Sequence, residues 1–297
     1  MCGIGGIVKL EGDAIDPNLL ISLLNKLDGS GPKAVGIILV GKEGGVLTIK
    51  TTKGWSEWGK EEKESLKNRA GAAKAVLVHT RAPTTGPNTL ENTHPFEDYE
   101  TGLWLAHNGG IFNHDSIFQL HDYKGPVECD SMAVLLEFLT LIKDSGTVQH
   151  IADLEAIMSG WWNCWAYLAK TNDIVLFTNM EGFRAAQKDG HFIFANLSYA
   201  FEGEQLPSVV KINLGQGTDK PTFTYYPLAP VKTEVEEAFK KLIVAEDDRH
   251  YHLKIPEDAQ KRFQGWKLAD NGILIVRKYQ CDKVKKNRIL GIIRGVG

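Results

Sequence analysis

Apolar positions come in short, dense runs from the start of the chain. Cys2 to Leu10, Ala34 to Val40, Gly45 to Lys50, Ala75 to His79 and Gly102 to Ala106 are such runs, several of them bounded by glycine-rich or polar turns, and this pattern predicts strands. The period lengthens to that of a helix at Asn18 to Leu27, at Glu61 to Asn68 and most clearly at Asp130 to Ile142, where Met132, Leu135, Leu136 and Leu139 share one face. Strand patterns return at Trp161 to Ala169, Asp173 to Thr178 and His191 to Asn196, separated by Thr171-Asn172-Asp173 and Lys188-Asp189-Gly190. Strands and helices come in groups rather than in strict alternation, which predicts an α+β fold of antiparallel sheets with packed helices.

The end of the chain has a different character. Leu214 to Pro221 reads as a turn-rich connection and Pro227 to Pro230 as a boundary, giving an expected large domain over 2–230 and an extension over 231–297. Within the extension, Thr233 to Ala245 reads as a capped helix. The stretch from Arg277 to Arg294 is basic, with Lys278, Lys283, Lys285, Lys286 and Arg288 against Asp282.

A chain of 297 residues can bury a large core, and its formal charge of −3 favours neither nucleic acid nor an anionic membrane as a partner for the whole chain. No apolar run approaches the roughly 18 to 20 residues of a membrane span, and the first residues lack the layout of a secretory signal. Four widely spaced cysteines without a C-x-x-C pair make a disulfide framework or a metal site unexpected. The expectation is therefore a cytoplasmic protein without metal or cofactor, in a reducing compartment where a free thiol persists.

Cys2 is the first candidate for chemistry. Removal of Met1 would give it a free α-amine beside its thiol, and an amine with an ordinary pKa near 8 can take the thiol proton. Gly3, Gly5 and Gly6, interleaved with Ile4, Ile7 and Val8, mount that residue on a strand that other backbone can approach closely. His79-Thr80-Arg81 runs from a strand into the turn Ala82 to Gly86, and an arginine at such a point suits bidentate capture of a carboxylate. His79 and His94 read, on their own terms, as structural hydrogen-bonders. His107-Asn108-Gly109-Gly110 follows an apolar strand. An Asn-Gly hairpin is the simple reading of that dipeptide, and an oxyanion hole is the functional one. Asp130, at the start of the long helix, reads as a helix cap or as a partner for an ammonium group.

In order, Cys2-Gly3-Ile4, His79-Thr80-Arg81 with Thr84 and Gly86, Asn92-x-His94-Pro95-Phe96, His107-Asn108-Gly109 and Asp130-Ser131 resemble the class II glutamine amidotransferase domain. The spacing is most similar to the glutaminase halves of glucosamine-6-phosphate synthase and amidophosphoribosyltransferase, and the resemblance runs from Cys2 to about residue 215. It implies an Ntn-hydrolase four-layer αββα sandwich with a small C-terminal extension. It also implies Cys2 as nucleophile, Asn108 and Gly109 as the oxyanion hole, and Arg81 and Asp130 as holders of the α-carboxylate and α-ammonium of glutamine. Thr84 and His94 are counted with the same pocket. The chain departs from the sugar-synthase pattern at Ala82, Pro83 and Thr85, and Met132 stands where an acidic residue is common.

Only about 80 residues follow residue 215, too few for the synthase modules to which this domain is usually fused. The ammonia is therefore expected to pass to a separate synthase subunit. The basic tail reads as a solvated face, with contact to nucleic acid as the alternative. Two rival functions stay open: an Ntn amidohydrolase acting on another γ-glutamyl-type amide without an acceptor, and a non-catalytic regulatory member of the fold.

Overall fold

The computed structural model describes residues 2–12, 14–145, 151, 154–180, 182–197, 203–217, 219–226, 238–247, 250–261, 263, 268–269, 271–277 and 289. They fall into two compact units, one of Met1–Val148 with Trp161–Pro227 and one of Gln149–Gly160 with Leu228–Gly297.

The first unit holds two sheets. In the first sheet, β1 (Gly3–Lys9), β2 (Ala34–Gly41), β3 (Val46–Thr51) and β4 (Ala73–Arg81) are joined by β9 (Arg184–Lys188), β10 (His191–Ala195) and β11 (Glu204–Gln205), in the order β11-β9-β10-β1-β4-β2-β3. The second is built from β5 (Phe96–Asp98), β6 (Leu103–Ile111), β7 (Gly160–Leu168), β8 (Asp173–Thr178), β12 (Val209–Asn213) and β13 (Thr222–Tyr226), in the order β13-β12-β8-β7-β6-β5. Pairing is antiparallel between β1 and β4, β1 and β10, β2 and β4, and β7 and β8.

Strand alternation sorts the core into two layers. Ile4 and Val8 of β1, Ile38 and Val40 of β2, and Ala75 and Leu77 of β4 pack against Trp104, Ala106, Trp165, Tyr167, Leu176 and Ile212 of the second sheet. The intervening positions Ile7, Val35, Ile37, Leu39, Val76 and Val78 face the other way, onto two helices. Both faces are covered, so these strands read as nearly continuous apolar runs rather than as alternating ones.

The outer helices are α1 (Pro17–Asp28) and α2 (Lys60–Ala70). Asp16 starts α1 by accepting from Asn18 N at 2.8 Å, Pro17 presets the first turn, and Leu20, Leu23, Leu24 and Leu27 form the buried face. On the second sheet, α3 (His114–Leu120) and α4 (Ser131–Ser145) pack together, and α4 lies on β6. The order helix, sheet, sheet, helix is the four-layer αββα sandwich.

The second unit contains α5 (Leu154–Ile157), α6 (Glu257–Gln260) and a sheet of β14 (Ile243–Glu246), β15 (His250–Lys254) and β16 (Ile273–Arg277) in sequential order. Its core gathers Phe239, Leu253, Ile255, Ala259, Phe263, Leu274, Val276 and Ile289. The helix expected over Thr233 to Ala245 is corrected at its end: residues 238–240 are helical, but the chain turns at Lys241 and continues as β14, with Ile243 paired to Leu253. The β-branched pair Ile243-Val244 favours the strand once β15 supplies a partner. The boundary read at Pro227 to Pro230, the start of that helix and the basic run 278–288 lie outside the described residues.

Candidate active site

The topology delivers three strand ends to one place. β1 is central in its sheet and antiparallel to β4, with Gly3 opposite Thr80, so the residue that begins β1 meets the residues that end β4. A methyl group on Gly3 would come 2.7 Å from Thr80 Oγ1 and 2.9 Å from the Leu27 carbonyl, which only glycine avoids. Thr80 Oγ1 in turn donates to Leu27 O at 2.8 Å and ties the end of α1 to the same corner.

Cys2 sits half-buried at this corner. Its backbone nitrogen donates to Asn108 Oδ1 at 3.2 Å, and its Sγ lies 3.4 Å from the Ala82 amide nitrogen, which donates to it. Sγ is also 3.5 Å from the Ala82 carbonyl. Burial pushes the thiol up from its ordinary value, while the Ala82 amide and the nearby Arg81 charge pull it down and Asp130 pushes it up. Cys129 and Cys164 are buried more completely. Burial pushes the Cys129 thiol up to about 11 and the Cys164 thiol well above its ordinary value, so both are inert by comparison.

Asn108 and Gly109 lie towards the end of β6. With Oδ1 engaged by the Cys2 nitrogen, Nδ2 of Asn108 remains as a donor. A methyl group on Gly109 would sit 1.9 Å from the Trp161 carbonyl and 2.5 Å from His107 Nε2, so the close approach of β7 to β6 requires glycine here. His107 Nδ1 is 2.7 Å from Ser131 Oγ, linking β6 to the start of α4.

Asp130 does more than cap a helix. Its Oδ2 accepts from the Ile111 amide at 2.7 Å, across to β6, while its backbone carbonyl accepts from Ala133 N. The carboxylate is 6% exposed and close enough to Cys2 for its charge to bear on the thiol.

Arg81 is 2% exposed, and its guanidinium organises the loop that follows it. One terminal nitrogen donates to Pro87 O at 2.8 Å, and the other to Thr85 O at 3.0 Å and Gly86 O at 3.3 Å. All these partners are neutral carbonyls, and among the described residues no carboxylate lies within ion-pair distance of Arg81. A buried guanidinium without a counter-charge is an open position for an anion. Thr84 lies exposed in this same loop, and Gly86 turns it through a left-handed φ of 71°.

His94 is buried away from that loop surface. Its ring packs at a tilt against His79, with centroids 4.0 Å apart, and against Phe96 at 4.5 Å. The ring nitrogens of His79 and His94 make no hydrogen bond of ordinary geometry among the described residues, although the His107 backbone lies close enough to His79 to favour its protonated form, and the two rings pack against each other at a tilt.

Two features were invisible in the sequence. Ala82 meets the thiol through backbone atoms, which leave no mark on residue type. Trp161, at the start of β7, touches Gly109 with its carbonyl and places its ring 5.0 Å from Phe112, both rings being largely in solvent.

Residues 62–183 match the family model described as "Glutamine amidotransferases class-II". That segment of the chain is similar to a class II glutamine amidotransferase domain. The matched residues include Arg81, Thr84, His94, Asn108, Gly109 and Asp130, and Cys2 precedes them. Among curated relatives, a glutamine--fructose-6-phosphate aminotransferase [isomerizing] of Sulfurisphaera tokodaii is 30% identical over 144 residues, 46% of this chain and 23% of its own. That of Streptococcus pyogenes is 28% identical over 227 residues, 68% of this chain and 34% of its own. The match thus spans about a quarter to a third of the length of these relatives. Of solved structures, the glutamine phosphoribosylpyrophosphate amidotransferase from B. subtilis complexed with ADP and GMP superposes with a TM-score of 0.57 at 17% identity, covering 77% of this chain and 50% of that one. A structure titled as the allosteric regulatory enzyme of purine biosynthesis gives 0.56 at 18% identity, with the same coverage. At these identities the likeness concerns the fold alone, the four-layer αββα sandwich.

Proposed function

We propose that this chain hydrolyses the side-chain amide of glutamine, with Cys2 as nucleophile after removal of Met1. The observation that carries the reading is the 3.2 Å bond from the Cys2 nitrogen to Asn108 Oδ1. Once Met1 is removed, the amine and the thiol of Cys2 would both stand beside the Asn108 amide, the proposed oxyanion donor. Because burial holds the thiol up, it needs a base at hand. The freed α-amine is that base: one N–H continues to donate to Asn108 Oδ1 and the lone pair takes the thiol proton.

Sγ then bonds to the amide carbon of glutamine, and the carbonyl oxygen gains the electron pair. Asn108 Nδ2 and the Gly109 amide stabilise that oxyanion. The C–N bond breaks as the ammonium proton of Cys2 passes to the leaving nitrogen, giving ammonia and a thioester. Water, deprotonated by the same amine, attacks the thioester and releases glutamate. Arg81 receives the α-carboxylate and Asp130 the α-ammonium, with Thr84 on the exposed side of the pocket and His94 supporting the end of β4 from within.

The acceptor of the ammonia lies on a separate synthase subunit. The relatives are named for amino transfer between glutamine and fructose 6-phosphate, a reaction that needs a site for such an acceptor. Among the described residues no helix is long and apolar enough to cross a membrane. The free thiols of Cys2, Cys129 and Cys164 suit a reducing compartment such as the cytoplasm.

Comparing glutamine with N-acetylglutamine and glutamine methyl ester tests the assignment. Release of ammonia from free glutamine, with kcat/KM lower by roughly 10- to 150-fold for each blocked form, follows from the pairing of Arg81 and Asp130, each charged contact being worth roughly 1.5–3 kcal/mol. A preference for either blocked form would point instead to an amidohydrolase of other γ-glutamyl-type amides.

A further inference from the structure

β6 is pinned to the start of α4 at two points. His107 Nδ1 lies 2.7 Å from Ser131 Oγ, and the Ile111 amide donates to Asp130 Oδ2 at 2.7 Å. The pins join two separated positions of the strand to two consecutive residues of the helix start. Asn108, Gly109 and Gly110 lie between them, so the proposed oxyanion donors belong to the stretch that both pins hold.

Strand alternation decides which way each side chain of β6 faces. Trp104 and Ala106 pack on the first sheet, and Asn108 follows them on that face, towards Cys2. Leu103, Leu105 and His107 occupy the other face, on which α4 lies. His107 therefore turns away from the thiol and acts on the site only through the backbone of its neighbours. Leucine fills the two preceding positions of that face, so packing alone does not ask for an imidazole at 107.

The ring is buried, and burial holds it below the ordinary histidine value against the opposing pull of Asp130 and of the Trp161 carbonyl. A neutral imidazole has one nitrogen that donates and one that accepts. Ser131 fixes which is which. The Cys129 thiol, kept protonated by burial, also reaches Ser131, so the thiol donates to the hydroxyl and the hydroxyl donates to His107 Nδ1. The proton of the ring then sits on Nε2. That nitrogen and the Trp161 carbonyl crowd the same spot, the position a Gly109 side chain would take. The carbonyl favours a proton on the ring without forming a hydrogen bond of ordinary geometry to Nε2.

We propose that His107 and Ser131 are positioning residues for the glutaminase site: the pin between them sets the place of Asn108 and Gly109 relative to Cys2, while the pin between Ile111 and Asp130 sets the place of the carboxylate that receives the substrate ammonium. This rests on the reading of Cys2, Asn108 and Gly109 given above. Because the two pins are separate, they separate in kinetics. Loosening the first disturbs stabilisation of the oxyanion, which forms only as the bond to Sγ is made, and leaves ground-state binding of glutamine nearly as it was.

The test compares Ser131→Ala and Ser131→Thr with the wild type, all as the whole chain, for kcat and KM on glutamine, for Tm and for hydrogen exchange at Asn108 to Ile111. Ser131→Ala should lower kcat roughly tenfold, the rate equivalent of one lost hydrogen bond, with KM changed by less than about twofold. Exchange at Asn108 to Ile111 should quicken in the same variant, and Ser131→Thr, which keeps the hydroxyl, should restore most of kcat. The 15N shifts of His107 need no variant: in the wild type they should show the proton on Nε2 and the lone pair on Nδ1. A fall in Tm with kcat unchanged, an equal loss of kcat in both variants, unchanged exchange in Ser131→Ala or a proton on Nδ1 would overturn the proposal. Absence of glutamine hydrolysis in the wild type would instead overturn the reading of Cys2, and the exchange rates and the tautomer would still decide whether the pin exists.

Discussion

Lowering the pH from 7 to 5 should destabilise the first unit by several kcal/mol, through histidines that fold without their proton. His79, His94 and His107 are all buried, and burial holds each below the ordinary histidine value: His79 down to about 3, His94 well below it, and His107 less clearly because Asp130 opposes the shift. Arg81 adds positive charge beside His79 and His94, and Lys50 beside His94. In the unfolded chain each histidine titrates near 6.5. The unfolded state therefore takes up protons first, so stability is complete above about pH 6.5 and is lost as pH falls towards the folded values. Each group costs about 1.4 kcal/mol per pH unit in that window, or about 2 kcal/mol between pH 7 and 5. His79 and His94 together give about 4 kcal/mol, a large part of the 5–15 kcal/mol of an ordinary domain. Urea unfolding followed by tryptophan fluorescence reports this unit, since every tryptophan but Trp266 belongs to it. His94→Asn should flatten the dependence by about one proton. Stability unchanged between pH 7 and 5, or an identical slope in the variant, would refute the reasoning.

Three further outcomes follow. In the proposed reaction Asn108 is an oxyanion donor, so Asn108→Ala should lower kcat by about 100- to 1,000-fold, read from steady-state glutamate release. Arg81→Lys keeps the charge but loses the fork that binds both the loop carbonyls and a substrate carboxylate; KM for glutamine should rise at least tenfold, with loosening of residues 82–88 visible by hydrogen exchange. Gly36→Ala would bring a methyl group to 1.6 Å from the His94 carbonyl, a backbone collision that should cost more than about 3 kcal/mol or prevent soluble expression. A soluble variant with wild-type Tm would contradict the packing described.

Much of the first unit was legible because its strands carry their own signal. The run from Ala34 to Val40 is apolar throughout, and the structure explains why: Ile38 and Val40 face the second sheet while Ile37 and Leu39 face the helices. The helix at Asp130 was legible from its period, but the direction of the Asp130 carboxylate was not. Reaching Ile111 N depends on α4 lying on β6, a tertiary contact that no local pattern encodes. The same holds for Ala82 and Trp161, which act at the site through backbone atoms. The misread end of the helix over Thr233 to Ala245 has a related cause: Ile243 to Glu246 becomes a strand only because β15 lies beside it. His79 and His94 read as hydrogen-bonders because histidine usually is one, and only the fold brings their rings together.

The central claim is that Cys2 carries the chemistry, and one measurement tests it most directly. Intact mass and N-terminal sequencing of the purified chain are combined with glutamate release before and after a glutamine-mimicking thiol alkylator. The account predicts a terminus at Cys2, a single label on that residue, none on Cys129 or Cys164, and loss of activity in step with labelling. Retained Met1 together with full turnover, or activity that survives complete labelling of Cys2, would contradict it.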